Sequence, residues 1–508
     1  MRSFPHSRAA GGHVVSCIGV CLWLALPYAR LSAQAAASAP PSVASASKDR
    51  LTVRTTASLR SRVEDWRWFD TTAAGAYRFT ALLARLGAQA SRGSWSAKAD
   101  LSAPVLLSLP TDASAPAPLG QFGLGANYAS ASTSGTALRS NVAGLVVRQA
   151  VLDWKQGSST IRLGRFDVSD GVERTPTSPA LTTLKNTRLS QRLLGPFGFT
   201  HGQRAMDGVS AQTTRSGHTL TALAIRPTSG VFAVTRAGRS LPVNIAYGAW
   251  SYGRAHKRGE WDARLFGLWY QDERGLVPTD NRLAGTRISA PRNITVNTVG
   301  AHVVAVRSVG EWSVDGLAWG AAQTGSWSTL MHRAHALALE VGAQRRTAPW
   351  SPWLRAGWYR GSGDRNPADN THGTFFQIAP TPRIYARFPF YNGMNSDERF
   401  AYATVKPSKT VSARLGVHDV RLASASDQWL LGGGAFDTRN FGYVGRTLPP
   451  GSSPRLGVVS EASVEWKPRA HVAMEGFLAV ASRAAGPARI YGTGSRGRLA
   501  LLELTLTK

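Results

Sequence analysis

Hydrophobic and polar residues alternate with a period of two along much of the chain from Leu51 onward. In residues 51–64, most odd positions are leucine, valine or alanine, and every even position is threonine, serine, arginine or glutamate. Residues 411–418, 461–467 and 502–507 alternate in the same way. The pattern predicts β-strands with one apolar and one polar face. The longer segments exceed about nine residues, which is the length that a tilted membrane crossing of about 25 Å requires.

The connections between these predicted strands fall into two classes. Some are tight, such as 406–409 and 467–469. Others are long and rich in glycine, serine, proline and aspartate, and they cover 108–140, 170–203, 272–292, 361–397 and 437–455.

Short turns that alternate with long loops are typical of a transmembrane β-barrel, with short periplasmic turns and long extracellular loops. The alternative is a soluble β-sandwich or a solenoid. A sandwich needs a shared hydrophobic core, but here arginine, glutamate and threonine occupy the polar faces together, and there is no short fixed repeat. The sequence therefore predicts an all-β fold, a single antiparallel barrel.

The number of strands follows from the chain length. Roughly 460 residues follow Asp49, and at about 25 residues for each strand and its connection they give about 18 strands. We expect 16 to 18 strands and favour 18. Aromatic pairs near strand ends, such as Trp66 with Trp68 and Trp250 with Tyr252, are expected to form the two aromatic girdles of such a barrel.

Composition excludes other classes of protein. The chain has 508 residues, of which 43% are hydrophobic and 18% are charged, so it holds too much apolar surface for a disordered polycation. Its mean hydropathy of -0.16 excludes a bundle of many membrane-spanning helices, which would give a clearly positive value.

The first 35 residues have the features of a secretory signal peptide. Arg2 and Arg8 precede an apolar run at 14–26, and a small-x-small motif follows at 33–35. An uncleaved anchor helix is the alternative, but Pro27 shortens the run below the roughly 20 residues that a bilayer needs. We expect a cleaved signal peptide at 1–35, a flexible leader at 36–50 and the barrel at 51–508. Both cysteines lie in the signal peptide, so the exported chain would carry no thiol.

The exported chain remains strongly basic. Without the three arginines of residues 1–35, which include no acid, 56 basic and 30 acidic side chains remain, a net charge of +26. Compositional drift in a GC-rich genome is one explanation. Nucleic-acid binding is another, but it fits poorly with export, and the arginines are spread along the whole chain, so we expect no nucleic-acid partner.

Several motifs resemble those of the alginate-export family of bacterial outer-membrane barrels. Residues 59–64 resemble the family's opening Arg-x-Arg-x-Glu strand, and residues 162–166 resemble its Leu-Gly-Arg-Gln strand. Residues 192–209 are similar to a family signature that ends in Phe-Asp-Gly-Val, with Met206 where the family tends to have an aromatic residue. Further matching segments follow in family order at 361–364, 373–377, 380–381, 407–408 and 427–429.

The resemblance covers roughly residues 51–508 and implies location in the bacterial outer membrane. It implies outer-membrane lipid, lipopolysaccharide and the barrel-assembly machinery as partners. It also implies a passive channel for an anionic polysaccharide of the alginate type, or for small anionic solutes. Lys508 departs from the aromatic residue with which outer-membrane barrels usually end.

In a barrel the polar face of each strand lines the lumen. One hypothesis is that inward arginines form a cationic ladder for anions, because guanidinium groups pair bidentately with carboxylates and phosphates. The alternative is that these arginines pair with inward acids and brace the wall. The candidate pore-lining and anion-binding residues are Arg54, Arg60, Arg62, Glu64, Arg85, Arg162, Arg165, Arg204, Asp207, Arg355 and Arg414.

Other chemistry is weakly represented. Asp364, Asn366 and Asp369 offer oxygen ligands for Ca²⁺, but their spacing does not fit an EF-hand, and an ordinary polar loop is the alternative. The chain lacks a Gly-x-Ser-x-Gly elbow, a His-Glu-x-x-His motif and a phosphate-binding loop. We therefore expect no cofactor and no enzyme. A hydrolase on a barrel scaffold and a structural or adhesive surface barrel remain the alternative functions.

Overall fold

The computed structural model of the protein describes residues 50–69, 75–109, 140–232, 234–291, 293–381, 384–434, 437–438, 441–491 and 494–508. The expected signal peptide, nearly all of the expected leader and most of the expected loop 108–140 lie outside these described residues.

The described part of the chain is dominated by β-strands. They are β1 (Thr52–Arg67), β2 (Ala76–Arg92), β3 (Trp95–Leu107), β4 (Val142–Ala143), β5 (Val146–Gln156), β6 (Ser159–Phe166), β7 (Met206–Arg215), β8 (His218–Pro227), β9 (Val243–His256), β10 (Gly259–Asp272), β11 (Ile294–Val309), β12 (Trp312–Trp327), β13 (Leu330–Arg345), β14 (Trp353–Gly361), β15 (Thr371–His372), β16 (Ser396–Val405), β17 (Val411–Arg421), β18 (Trp429–Gly432), β19 (Tyr443–Arg446), β20 (Arg455–Arg469), β21 (Val472–Ser482) and β22 (Gly497–Thr507).

Three short helices lie in the described connections between strands. They are α1 (Pro179–Leu184), which continues into a π-helical turn at Lys185–Leu189, α2 (Ala284–Ser289) and α3 (Ala485–Tyr491). The helix α1 begins at Ser178, whose side chain accepts a hydrogen bond from the Leu181 amide, and Pro179 occupies the first helical turn. No helix in the described residues is long and apolar enough to span a membrane.

Eighteen strands form one closed antiparallel barrel. They are all the strands except the short β4, β15, β18 and β19, and each pairs with its neighbours in chain order. Closure comes from β1 and β22, which pair from Ser58 opposite Thr507 to Arg67 opposite Arg498. Because the sheet has no open edge, the strands satisfy one another's backbone hydrogen bonds, as a hydrocarbon environment demands. The predicted all-β fold and the favoured strand number are confirmed.

The two faces of β1 show how the sequence pattern maps onto the wall. Leu59 and Val63 are 41% and 37% exposed, while Arg62 and Glu64 on the other face are 4% and 3% exposed. The apolar positions therefore face outward and the charged positions face the lumen, as the alternation predicts.

The two rims of the barrel differ. At the short-turn rim, strands are joined by two residues in several hairpins, for example Gly93 and Ser94 between β2 and β3. The predicted turn at 467–469 is wrong: these residues belong to β20, and the turn is Ala470 and His471. Pro468 lacks an amide hydrogen and sits at a register shift of this pair. The long connections all lie at the opposite, long-loop rim.

The aromatic residues near strand ends divide between the two faces of the wall. Trp250 and Trp269 are exposed on the outside, but Tyr270 is buried, and Trp66 and Trp68 are buried in the interior. Residues two apart on a strand share a face, and neighbouring residues do not, so Trp66 and Trp68 both point inward, whereas Trp269 and Tyr270 point to opposite faces. The girdle expectation therefore holds for about half of these rings.

Buried hydrophobic side chains fill much of the barrel near the long-loop rim. One cluster joins inward wall residues such as Phe266 and Trp319 to the loop residues Leu193 and Phe376. A second cluster joins wall residues from β1, β2 and β20–β22 to aromatic loop residues such as Phe388. The sequence argument against a shared hydrophobic interior fails here, because long loops fold into the barrel and supply the second apolar surface.

We predict that Gly164→Ala in β6 lowers the free energy of unfolding by about 1–3 kcal/mol. Gly164 has a φ of +117°, and an added Cβ would lie 2.2 Å from the Ala150 carbonyl oxygen. Urea unfolding of the refolded barrel, followed by tryptophan fluorescence, measures the effect. Gly248→Ala is the matched control, since a Cβ there meets no atom within 4 Å. Equal losses in the two variants would contradict the prediction.

Candidate functional site

Two long connections fold back inside the barrel. The first inward loop comprises residues 167–205, between β6 and β7, and the second comprises residues 362–395, between β14 and β16. They meet each other as well as the wall: the Arg192 guanidinium donates to the Tyr385 hydroxyl at 2.6 Å. Together they form a lumen lining that is separate from the strands.

The first inward loop crosses the lumen. It contacts the wall at β1, where Arg62 donates to the Phe199 carbonyl at 2.7 Å. It also contacts β10 and β13, where its own basic side chains pair with wall carboxylates. Because β1 and β13 lie far apart in the strand order, the loop spans the barrel and narrows it.

Arg60 holds one end of this crossing. Its guanidinium donates to the carbonyls of Gly198 and Thr200, both at 2.9 Å. Glu503 on β22 is its paired carboxylate, but only at 3.8 Å. Arg60 is thus satisfied mainly by neutral oxygens, which leaves its positive charge weakly compensated.

Arg62 is compensated more fully. It donates to Glu503 at 2.7 Å and to Glu64 at 3.2 Å, besides the loop carbonyl. The predicted residues Arg60, Arg62 and Glu64 are therefore brought together at one point of the wall, where they anchor the first inward loop.

His201 completes this anchor and was not predicted from the sequence. Its Nε2 lies 3.1 Å from a Glu64 carboxylate oxygen, and its Nδ1 lies 3.2 Å from the Arg60 guanidinium. Since Arg60 can only donate, Nδ1 must accept, so the ring is neutral and carries its proton on Nε2. Burial lowers the pKa of His201 to about 4, in agreement with this geometry.

Arg85 on β2 and Arg148 on β5 bind the same loop. Both donate to the Gln203 side-chain oxygen, and Arg148 also pairs with Asp167 at the start of the loop. Arg85 was predicted as a pore-lining residue, and Arg148 was missed. The sequence could have indicated Arg148, because it alternates with the exposed Val147 along β5 and so points inward.

Arg204 joins three loops. Its guanidinium donates to the carbonyls of Gly195 in its own loop, Pro380 in the second inward loop, and Gly433 and Gly434 in the loop between β17 and β20. No carboxylate in the described part of the chain pairs with it. Burial lowers the pKa of Arg204 to about 9, so the group is charged at neutral pH and its charge is uncompensated.

A buried carboxylate on β13 organises the middle of the lumen. Glu340 accepts from Arg188 at 2.7 Å and from Arg192 at 3.2 Å, both on the first inward loop. It also accepts from Arg355 on β14 at 2.9 Å. Arg355 in turn pairs with Asp315, so this predicted residue braces the wall rather than lining open space.

A second acidic group projects from β10. Glu260 and Asp262 pair with Arg174 at 2.9 and 3.1 Å, and Asp262 also accepts from Lys185 at 2.9 Å. These residues were not predicted. The available signal was the run of charges at every second position of β10, which ends at Arg264.

The other predicted residues do not contact the first inward loop at the points described above. Arg162 pairs with Asp153 at 2.7 Å. Arg165 pairs with Asp207 at 2.6 Å, and it alternates with Phe166, which is buried in the interior. Arg165 and Asp207 are therefore placed on the outer face of the barrel, not in the lumen.

Two further predicted arginines sit on inward positions. Arg54 is exposed near the start of β1 and has no ion pair among the described residues. Arg414 pairs with Glu461 at 3.3 Å and lies over the Tyr402 ring at 4.0 Å. Pairing with acids, the alternative raised by the sequence, thus accounts for many lumen arginines, but not for Arg54 or Arg204.

The proposed Ca²⁺ ligands form backbone turns. Asp364 accepts from the Asn366 amide at 3.0 Å, Asn366 from the Ala368 amide at 3.1 Å, and Asp369 from the Thr371 amide at 2.8 Å. Within the described ranges, no group of three or more His, Cys, Asp or Glu side chains could hold a metal ion. The arrangement is that of an ordinary polar loop.

A closed 18-strand barrel with outward apolar faces and inward loops is the fold of a bacterial outer-membrane barrel. Residues 185–448 match the alginate export family. Because this match spans more than half of the chain, the protein belongs to that family. No curated relative matches the chain.

Solved structures of outer-membrane proteins share the fold. Pseudomonas aeruginosa OccK9 (OpdG) is 12% identical with a TM-score of 0.56, over 90% of this chain and 98% of its own. OpdK with vanillate, from the same organism, is 9% identical with a TM-score of 0.54, over 89% and 98%. OccK2 (OpdF) in complex with glucuronate is 9% identical with a TM-score of 0.50, over 90% and 95%.

We predict that acid loosens the first inward loop at His201. The docked loop holds a neutral imidazole with a pKa near 4, while a free imidazole has a pKa of about 6.5. The docked state therefore binds fewer protons in this window, and its stability falls as pH drops from about 6.5 to 4, by on the order of 3 kcal/mol. Single-channel conductance should therefore rise as the pH is lowered from about 6.5 to 4.

His201→Gln is the matched variant for this experiment. Its amide can donate to Glu64 and accept from Arg60 without titrating. Its conductance should change little between pH 6.5 and 4. If the variant and the parent protein show the same pH dependence, His201 is not the responsible group.

Proposed function

We propose that this protein is a passive outer-membrane diffusion channel whose loop-lined constriction favours anions that carry carboxylate groups. The observation that carries the proposal is the set of guanidinium groups around residues 195–204. Arg60, Arg85, Arg148 and Arg204 all meet this segment, and several of them donate to neutral oxygens.

The charge of the constriction supports anion preference. The ion pairs on β10 and β13 largely cancel, so they contribute little net potential. Around residues 195–204 the balance is positive, since Arg204 has no described carboxylate partner and Arg60 only a distant one. In a narrow, low-dielectric passage, such uncompensated charges raise the local concentration of anions and repel cations.

Carboxylates fit these donors. A guanidinium presents two parallel N–H groups to two carboxylate oxygens, and a series of them allows an anion to pass from one to the next. OpdK was solved with vanillate and OccK2 in complex with glucuronate, and both ligands are carboxylates. Their sequence identity is low, so they support the class of solute and not a particular one.

The packing favours small anions over a polymer. The two inward loops are buried against the wall and against each other, and a polysaccharide would have to displace the Arg204 contacts. Membership of the alginate export family favours an anionic polysaccharide as the second candidate. Neither candidate cargo requires an enzymatic activity, and we propose that the protein has none.

The remaining partners are proposals as well. Outer-membrane assembly would involve the barrel-assembly machinery, and the outward apolar face would contact lipid and lipopolysaccharide. We propose no nucleic-acid partner and no cofactor for the channel.

Planar-bilayer recording tests the channel proposal. In a salt gradient the purified protein should give discrete conductance steps and a reversal potential that shows anion preference. Arg204→Gln should increase the step size and reduce the anion preference, because it removes an uncompensated charge and releases three loops from one another.

Arg226→Gln is the matched control for this recording. Arg226 lies in β8 and donates to Asn244 at 2.8 Å at an exposed position, so neither conductance nor selectivity should change. Absence of conductance, or cation preference in the parent protein, would overturn the proposal. Heat-dependent gel mobility verifies that each variant is folded.

A further inference from the structure

Four arginines and two aspartates form a cluster on the outer face of the barrel near the long-loop rim. Adjacent strands place Arg360 opposite Asp397, Asp397 opposite Arg421, and Arg421 opposite Arg455. One step further from the rim, Arg399 lies opposite Asp419. We call these six residues the outer arginine cluster.

The alternation of the strands fixes the orientation of this cluster. Tyr359 on β14, Glu398 on β16 and Val420 on β17 are buried in the interior. The neighbouring positions Arg360, Arg399 and Arg421 therefore point outward. They cannot belong to the lumen and play no part in the channel proposal.

The cluster carries a positive charge that its own acids do not cancel. Arg360 pairs with Asp397 at 2.9 Å, and Asp419 accepts from Arg421 at 2.8 Å and Arg455 at 2.9 Å. Arg399 is exposed and has no hydrogen-bond or ion-pair partner among the described residues. Four guanidinium groups and two carboxylates give the cluster a net charge of +2. Arg399 is available to bind an anionic ligand.

An apolar depression of about 890 Å³ lies directly below the cluster, on the side away from the rim. Small residues on β14 and β16 line it together with larger aliphatic residues on β13, β14 and β17. Its outward lining includes Val341, Leu354, Ala356, Ala401, Leu415 and Val417.

The cluster and the depression are joined along one strand. Ala401 follows Arg399 by two residues on β16, a distance of about 7 Å along the strand. Trp358 lies opposite Arg399 and donates its indole N–H to Asp397 at 3.2 Å. A tryptophan at this height is typical of the level of lipid headgroups, so the cluster lies at headgroup depth and the depression at acyl-chain depth.

We propose that this surface binds one phosphorylated glycolipid of the lipopolysaccharide type from the leaflet at the long-loop rim. Its phosphate groups contact Arg399 and the neighbouring arginines, and an acyl chain occupies the depression. Phosphate is the anion to which guanidinium groups bind bidentately. A free phosphate ion would use the arginines alone, whereas the apolar depression beneath them fits only a ligand with a hydrocarbon chain.

Binding of fluorescently labelled lipopolysaccharide to the detergent-solubilised protein tests the proposal. The double variant Arg360→Gln and Arg399→Gln should weaken binding about tenfold or more, since it removes two charge-assisted contacts. Ala401→Phe, which fills the depression and leaves every arginine in place, should also weaken binding. Heat-dependent gel mobility shows whether each variant has kept its fold.

Arg226→Gln is the matched control, because it removes an outer-face arginine away from the cluster, and binding should not change. Phosphatidylethanolamine vesicles and inorganic phosphate, used as competitors, should displace the labelled lipid poorly. Equal weakening by Arg226→Gln would indicate diffuse attraction and overturn the site. Full competition by inorganic phosphate, no effect of Ala401→Phe, or a change in oligomeric state with Ala401→Phe would also overturn it.

Discussion

Charge pairing between loop and wall is the interaction on which the interior of this barrel depends. Glu340, Asp262 and Glu260 are buried on the wall, and each is matched by basic groups that the first inward loop brings to it. A buried charge without a partner costs several kcal/mol, and removal of one partner of a buried pair costs about 3–5 kcal/mol. The wall charges therefore require the loop, and the loop keeps its position because of them.

The barrel itself was predictable from the sequence because its rule is local. In residues 51–64 every second side chain faces lipid and the others face an aqueous interior. The alternation of apolar and polar residues is therefore visible in the sequence. Closure between β1 and β22 was implied by the need to leave no unpaired edge. The turn at Ala470 and His471 was misplaced because Pro468, a residue usual in turns, sits instead at an irregular position of β20.

The constriction was much less predictable. Arg60, Arg62 and Glu64 were found because they follow the alternation of β1. His201, Arg188 and Lys185 lie on a loop with no period, and their charged partners are up to 152 residues away in the chain, as for Arg188 and Glu340. Arg165 and Asp207 were misassigned to the lumen, although Arg165 shares its face with the apolar, exposed Ile161 and Leu163, so the alternation of β6 already places it outside.

The contacts of Arg204 have a consequence for motion. One side chain is tied to the carbonyls of three separate connections, so a displacement of any of them breaks hydrogen bonds that hold the other two. A linkage of this kind couples local transitions into one cooperative change. Current through such a passage is expected to switch between discrete levels as the three segments move together, rather than to vary continuously as each one fluctuates by itself.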